Sequence, residues 1–157
     1  MKKSVIVTLL SAFAFVTVSA QTNKEEVELF QSIFGMEKKA IVAEFVQVEG
    51  ESEEAFWSLY DQYETERKEL GIQRLALLNE YATNYEQMGT EKMDELVAKM
   101  IKLKSSTDKI MNKYYKKMRS AAGSKPAAQF FQIENYFSSA IRLTIYENIP
   151  FIGELDR

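Results

Sequence analysis

The 157-residue chain contains neither cysteine nor histidine. Without cysteine there is no disulfide, no thiolate nucleophile, no Cys-ligated zinc or iron–sulfur cluster, and no covalently attached haem. Without histidine there is no imidazole base or metal ligand and no switch of charge near neutral pH. The Glu-x-x-His motif of a di-iron helical bundle is equally impossible. Glycine and proline are scarce, at 6 and 2 residues, too few for a β-sandwich with frequent turns. No P-loop pattern occurs, and no stretch alternates as a strand would. What remains is a chain with 46% apolar and 27% charged residues and a net charge of −3, a composition suited to one globular domain and not to a membrane-embedded body.

The first twenty residues stand apart. Lys2 and Lys3 precede an apolar run from Val5 to Val18, and Val18-Ser19-Ala20 has the small-residue pattern of a signal-peptidase site. That run of 14 residues is shorter than the roughly 20 needed to cross hydrocarbon. The expectation is a signal peptide over 1–20, cleaved after Ala20, and a single mature domain over 21–157 exported to the periplasm. No cysteine follows the run, so a lipoprotein anchor is excluded, and the cleaved chain would not be membrane-embedded.

The rest reads as helix. In residues 24–48, Val27, Phe30, Phe34, Ile41, Val42 and Phe45 recur mainly at steps of three and four, with Gly35 as a candidate interruption. Residues 52–86 carry Phe56, Leu59, Tyr60, Tyr63, Leu70, Leu78 and Tyr81 in the same pattern, with Ser52 as a candidate N-cap and Gly71 as a candidate bend. Residues 91–119 place Met93, Leu96, Met100, Leu103, Met111, Tyr114 and Met118 along one seam behind Thr90 as N-cap. Residues 127–147 align Phe130, Ile133, Phe137, Ile141 and Ile145. Connections of about four to six residues would make successive helices antiparallel neighbours. The fold class is therefore all-α: four helices, the two long middle ones forming an antiparallel hairpin with shorter flanking helices. Such a shape buries little per residue as a monomer, and a homodimer, intertwined or cradle-like, is expected to supply the remainder.

Certain strings match a known pattern. Phe56-Trp57-Ser58-Leu59-Tyr60, Tyr63, Arg67, Arg74-Leu75-Ala76-Leu77-Leu78 and Tyr81-Ala82, followed by Ala127-Ala128-Gln129-Phe130-Phe131-Gln132-Ile133-Glu134-Asn135, resemble segments of the Spy/CpxP-like periplasmic proteins in the same order, over roughly residues 40–150. The family's repeated Leu-Thr-x-x-Gln falls here at Val48-Glu49-Gly50-Glu51-Ser52 and at Gly89-Thr90-Glu91-Lys92-Met93, which keep only Thr90. The resemblance implies ATP-independent binding of unfolded or misfolding proteins by a cradle-shaped antiparallel dimer. For other members it implies a stress sensor acting on one envelope partner.

Chemistry-bearing residues are few. Neighbouring carboxylates such as Glu53/Glu54, Asp61/Glu64 and Asp94/Glu95 would need a cleft that separates their pKa values before they could act as acid and base, and long helices offer solvated faces instead. Met93/Met100 and Met111/Met118 are each seven apart, the spacing of a core seam; an adaptable binding surface and thioether ligation of copper(I) are the alternatives. No cofactor and no enzymatic activity are expected. Charge is more informative. Residues 52–86 hold eight acids against three bases, whereas residues 91–119 hold nine bases against four acids. Either the basic helix complements the acidic one, or it presents a face that steers partners electrostatically while Lys stems, Met and Tyr make forgiving apolar contact. On the second reading the binding residues are Lys99, Met100, Lys102, Lys109, Lys113, Tyr114 and Lys116. The partners would be unfolded or misfolding envelope proteins, or one envelope regulatory protein. Nucleic acid is not expected of an acidic, exported chain.

Overall fold

The computed structural model describes residues 24–154, with side chains described from residue 35. The proposed signal peptide lies outside the described residues, as do the side chains of Val27, Phe30 and Phe34. Four helices follow one another: α1, Lys24–Phe45; α2, Ser52–Asn84, extended by a 3-10 turn at Tyr85–Gln87; α3, Thr90–Ala122; and α4, Ser124–Asn148. Among the described residues there is no strand, and no helix is long and apolar enough to cross a membrane. The two middle helices have 33 residues each, about 50 Å at 1.5 Å per residue, and the flanking ones 22 and 25.

Pairings between side chains fix the directions. Glu66 of α2 meets Lys113 and Tyr114 of α3, and Glu80 meets Lys99, so the middle helices form an antiparallel hairpin. Tyr115 of α3 stacks edge-on against Phe131 of α4, and α4 returns along α3. It therefore runs parallel to α2, with Tyr63 and Phe130 in T-shaped contact at 5.0 Å. At the near end α1 lies against α2 and α4, where Lys38 reaches both Glu64 and Glu134.

The core follows the apolar stripes. Phe56, Tyr60 and Tyr63 of α2, Met111, Tyr114 and Met118 of α3, and Phe130, Ile133 and Phe137 of α4 are buried together with Val42, Val46 and Ala127. Each set recurs at three and four residues, the period that keeps side chains on one face. All of them lie at the end that α1 covers. Towards the other end α2 has no buried residue after Glu64, and α3 buries only Leu96 and Leu103. There the C-terminal segment is tied down by two hydroxyls: Tyr81 donates to the Pro150 carbonyl and Tyr85 to that of Phe151, each at 2.7 Å.

Several local expectations are corrected. Gly35 does not interrupt α1; a Cβ there would make only ordinary contacts with Lys68 and Glu64, and α1 stops at Phe45, short of Val48. Ser52 is the first residue of α2 and not its cap; its hydroxyl donates to the Glu49 carbonyl. Gly89, in extended backbone, stands at the N-cap position expected for Thr90. The link from α3 to α4 is one residue, Gly123, at φ 89° and ψ 174°. Only glycine enters that region without strain, and this lets helix follow helix directly. Pro126 then sits in the first turn of α4, where its missing N–H costs nothing.

Candidate functional site

Two clusters hold most of the polar chemistry, and they differ in kind. The first is internal. The Lys38 ammonium, 1% exposed, donates to Glu64 Oε1 at 2.6 Å and to Glu134 Oε2 at 2.7 Å. Tyr63 donates to the same Glu134 oxygen at 2.7 Å, and Arg67 forks onto both oxygens of Glu64. Two cations thus balance two carboxylates, and the rings of Tyr60, Tyr63 and Phe137 lie 5.4–5.9 Å from the ammonium. Burial pushes the Glu64 carboxyl up, but Lys38 and Arg67 outweigh it and hold it below the usual carboxylate range. Burial, followed by the Glu134 charge, pushes the Tyr63 and Tyr60 phenols far up. Arg74 is held below the ordinary guanidinium value by burial and by Arg67.

This constellation has buried acids and a buried base but no room for a substrate. The void between Lys38, Arg67, Arg74, Glu134 and Ser138 measures about 30 Å³, about one water's share of the liquid. The cluster binds α1 to α2 and α4. The carboxylate neighbours singled out from sequence do not converge either: Glu64 is buried and points to Lys38, whereas Asp61 is exposed and pairs with Lys39 at 2.5 Å. Glu53, Glu54, Asp94 and Glu95 are all exposed. A larger hollow of about 540 Å³ beside Trp57 and Asp61 is lined by α2 alone and lies open to solvent. Among the described residues, no group of three or more acids is placed to hold a metal ion.

The second cluster is the basic helix, whose lysines divide into two sets. Lys92 and Lys99 both bond Glu80 of α2 and Glu95 of their own helix. Those bonds hold the Glu95 carboxyl down at about 2 and lower that of Glu80. Lys113 bonds Glu66 of α2 at 2.6 Å, and Lys104 pairs with Asp108 along α3. These lysines complement the acidic helix or their own. Lys102, Lys109 and Lys116 do not: all three are exposed and make no ion pair among the described residues. Their spacing of seven lays them in one line along α3, about 10 Å apart. Ser105 sits between the first two. Ile101, 65% exposed, flanks the line, with Val97 one turn earlier.

Of the residues expected to form a binding face, Lys102, Lys109 and Lys116 share an outward line. Lys99 and Lys113 are exposed but engaged with α2. Met100 is 45% exposed at the thin end of the bundle and not on the line itself. Tyr114 is not on the surface; it is 2% exposed, packed on Tyr63 at 5.7 Å, with its hydroxyl donating to Glu66. Burial and that bond raise its phenol to about 12. Its seam position between Met111 and Met118 explains this placement. The internal Lys38–Glu64–Glu134 cluster was not singled out from sequence. Its signal is present all the same: Lys38 stands four residues before Val42, and Glu134 stands between Phe130 and Phe137 on the apolar stripe of α4. No family model, curated protein or solved structure matches this chain.

Proposed function

We propose that this protein is an exported, ATP-independent binder of non-native envelope proteins, a holdase without enzymatic activity. Clients would meet the outward strip of α3, formed by Lys102, Lys109 and Lys116 with Ile101 and Val97 beside them. The observation that carries this reading is the line of three exposed lysines with no ion pair among the described residues, next to large exposed apolar side chains. A lysine paired within the chain has its charge largely balanced by its own carboxylate, whereas unpaired ones steer acidic or unfolded chains at long range and are screened by salt. Their aliphatic stems and Ile101 then offer contact without a fixed shape. The resemblance to Spy/CpxP-like periplasmic proteins supports the same reading. So does a framework tied together by internal ion pairs, which leaves the strip free of structural duty.

The test is light scattering of an aggregating client, without ATP, as the purified protein is titrated in. The expected result is suppression near stoichiometric ratios that weakens as salt is raised. Replacing Lys116 with Glu should weaken suppression while helicity and melting stay unchanged. Absence of suppression at several-fold excess would overturn the holdase reading. Capture of one stoichiometric envelope protein would then favour a stress sensor or adaptor with a single target.

A further inference from the structure

The outward strip of α3 has a counterpart on the same chain. On α1, Glu37 and Glu44 are exposed, seven residues apart, and make no ion pair among the described residues. Ala40 lies between them, and Met36, 64% exposed, flanks them. The pattern Met36, Glu37, Ala40, Glu44 repeats, residue for residue in spacing, as Ile101, Lys102, Ser105, Lys109. At 100° per residue, each helix therefore presents two like charges in a line, a small residue between them and one large apolar side chain on the same flank. One line is negative and the other positive. Because the rungs are equally spaced, two carboxylates can face two ammoniums whether the helices run parallel or antiparallel. The central small residues allow the backbones to approach.

The two lines do not meet within one molecule. Glu37 and Glu44 lie on α1, whose neighbour Lys38 is locked onto α2 and α4, while Lys102 and Lys109 lie on α3 with no ion pair among the described residues.

We propose that a second copy of this chain is the resting occupant of the α3 strip, with its α1 laid so that Glu37 and Glu44 face Lys102 and Lys109. This deepens the proposed function and rests on it in one respect: the strip that a client would use is the strip that the second copy covers, so client and copy compete. Lys116 lies beyond the reach of the two-carboxylate line and stays free for first contact.

The experiment is the molar mass of the purified protein, by light scattering coupled to size exclusion and by sedimentation, with no client present. The wild type should self-associate at tens of micromolar, more weakly as salt rises. Glu37→Lys/Glu44→Lys and Lys102→Glu/Lys109→Glu should each weaken association about a hundredfold or more, since each sets like charges face to face. Mixing the two variants should restore the assembly, as should combining all four substitutions in one chain. All four residues are exposed, so circular dichroism should be unchanged. A monomeric wild type, a mass indifferent to either pair of substitutions, or a mixture that stays monomeric would each overturn the proposal. The two readings fail separately. An assembly that responds as expected but never suppresses aggregation removes the holdase and leaves the interface. Suppression by a protein whose mass ignores these substitutions does the reverse.

Discussion

Replacing Lys38 with Met tests how α1 is held to the rest of the molecule. The ammonium is 1% exposed, neutralises part of Glu64 and Glu134, and donates to each within 2.7 Å. Methionine fits the stem's volume but leaves Glu134, itself 1% exposed, with only the Tyr63 hydroxyl as donor among the described residues. Removing one member of a buried ion pair costs about 3–5 kcal/mol, because the remaining charge is desolvated without compensation. For a body of this size each kcal/mol shifts the melting temperature by about 3–5 °C, so the expected drop is about 10–20 °C at pH 7. The neighbouring substitution Lys39→Met is the control. Its pair with Asp61 is exposed on both sides, and its loss should cost under about 1 kcal/mol. Thermal unfolding followed by circular dichroism reads both. A deficit for Lys38→Met no larger than that for Lys39→Met would refute the reasoning.

Other outcomes follow from the same buried contacts. Glu64 titrates below its unfolded value, so its contribution to stability is complete above about pH 4.3 and is lost as pH falls through the folded value; acid titration of the wild type should show this loss, and Glu64→Gln should lack it. The phenols of Tyr60 and Tyr63 titrate above their unfolded value, so stability they confer is intact below about pH 10 and declines as pH rises further; unfolding midpoints in denaturant between pH 9 and 11 would register it. Tyr63→Phe removes one hydroxyl bond to Glu134 and should cost about 1.5–3 kcal/mol by chemical denaturation, as a bond to a charged group does. Gly123→Ala meets no atom within 4 Å yet sits at φ +89°; backbone strain alone should lower stability by about 1–3 kcal/mol.

The helices were legible because their apolar residues recur at three and four over long stretches. Phe56, Tyr60 and Tyr63, or Met111, Tyr114 and Met118, belong to the core on spacing alone. That same spacing puts Tyr114 in the seam between Met111 and Met118, however basic its sequence neighbours are. The length of the α3–α4 link was not legible. Ala121-Ala122-Gly123-Ser124-Lys125-Pro126 has the composition of a loop, but Ala sustains helix to its end and Pro126 tolerates the first turn of another, so one glycine suffices. Which lysines are engaged was also beyond the sequence. Lys99 and Lys102 look alike in a basic helix, and only the lateral register of α2 against α3 decides that Glu80 meets the first and not the second.

The internal cluster bears on the outward lines through one turn of helix. Glu37 and Lys38 are adjacent on α1, so the bonds from Lys38 to Glu64 and Glu134 fix the rotation of α1 about its axis. That rotation sets the direction of the Glu37–Glu44 line, because Glu37 stands 100° round the helix axis from Lys38. Losing the Lys38 bonds should therefore blunt self-association even though Lys38 faces away from the partner copy. Lys38→Met should weaken association at temperatures where α2, α3 and α4 remain folded, whereas Lys39→Met should leave it intact. Association of Lys38→Met at wild-type strength would show that α1 keeps its orientation through Val42 and Val46 alone.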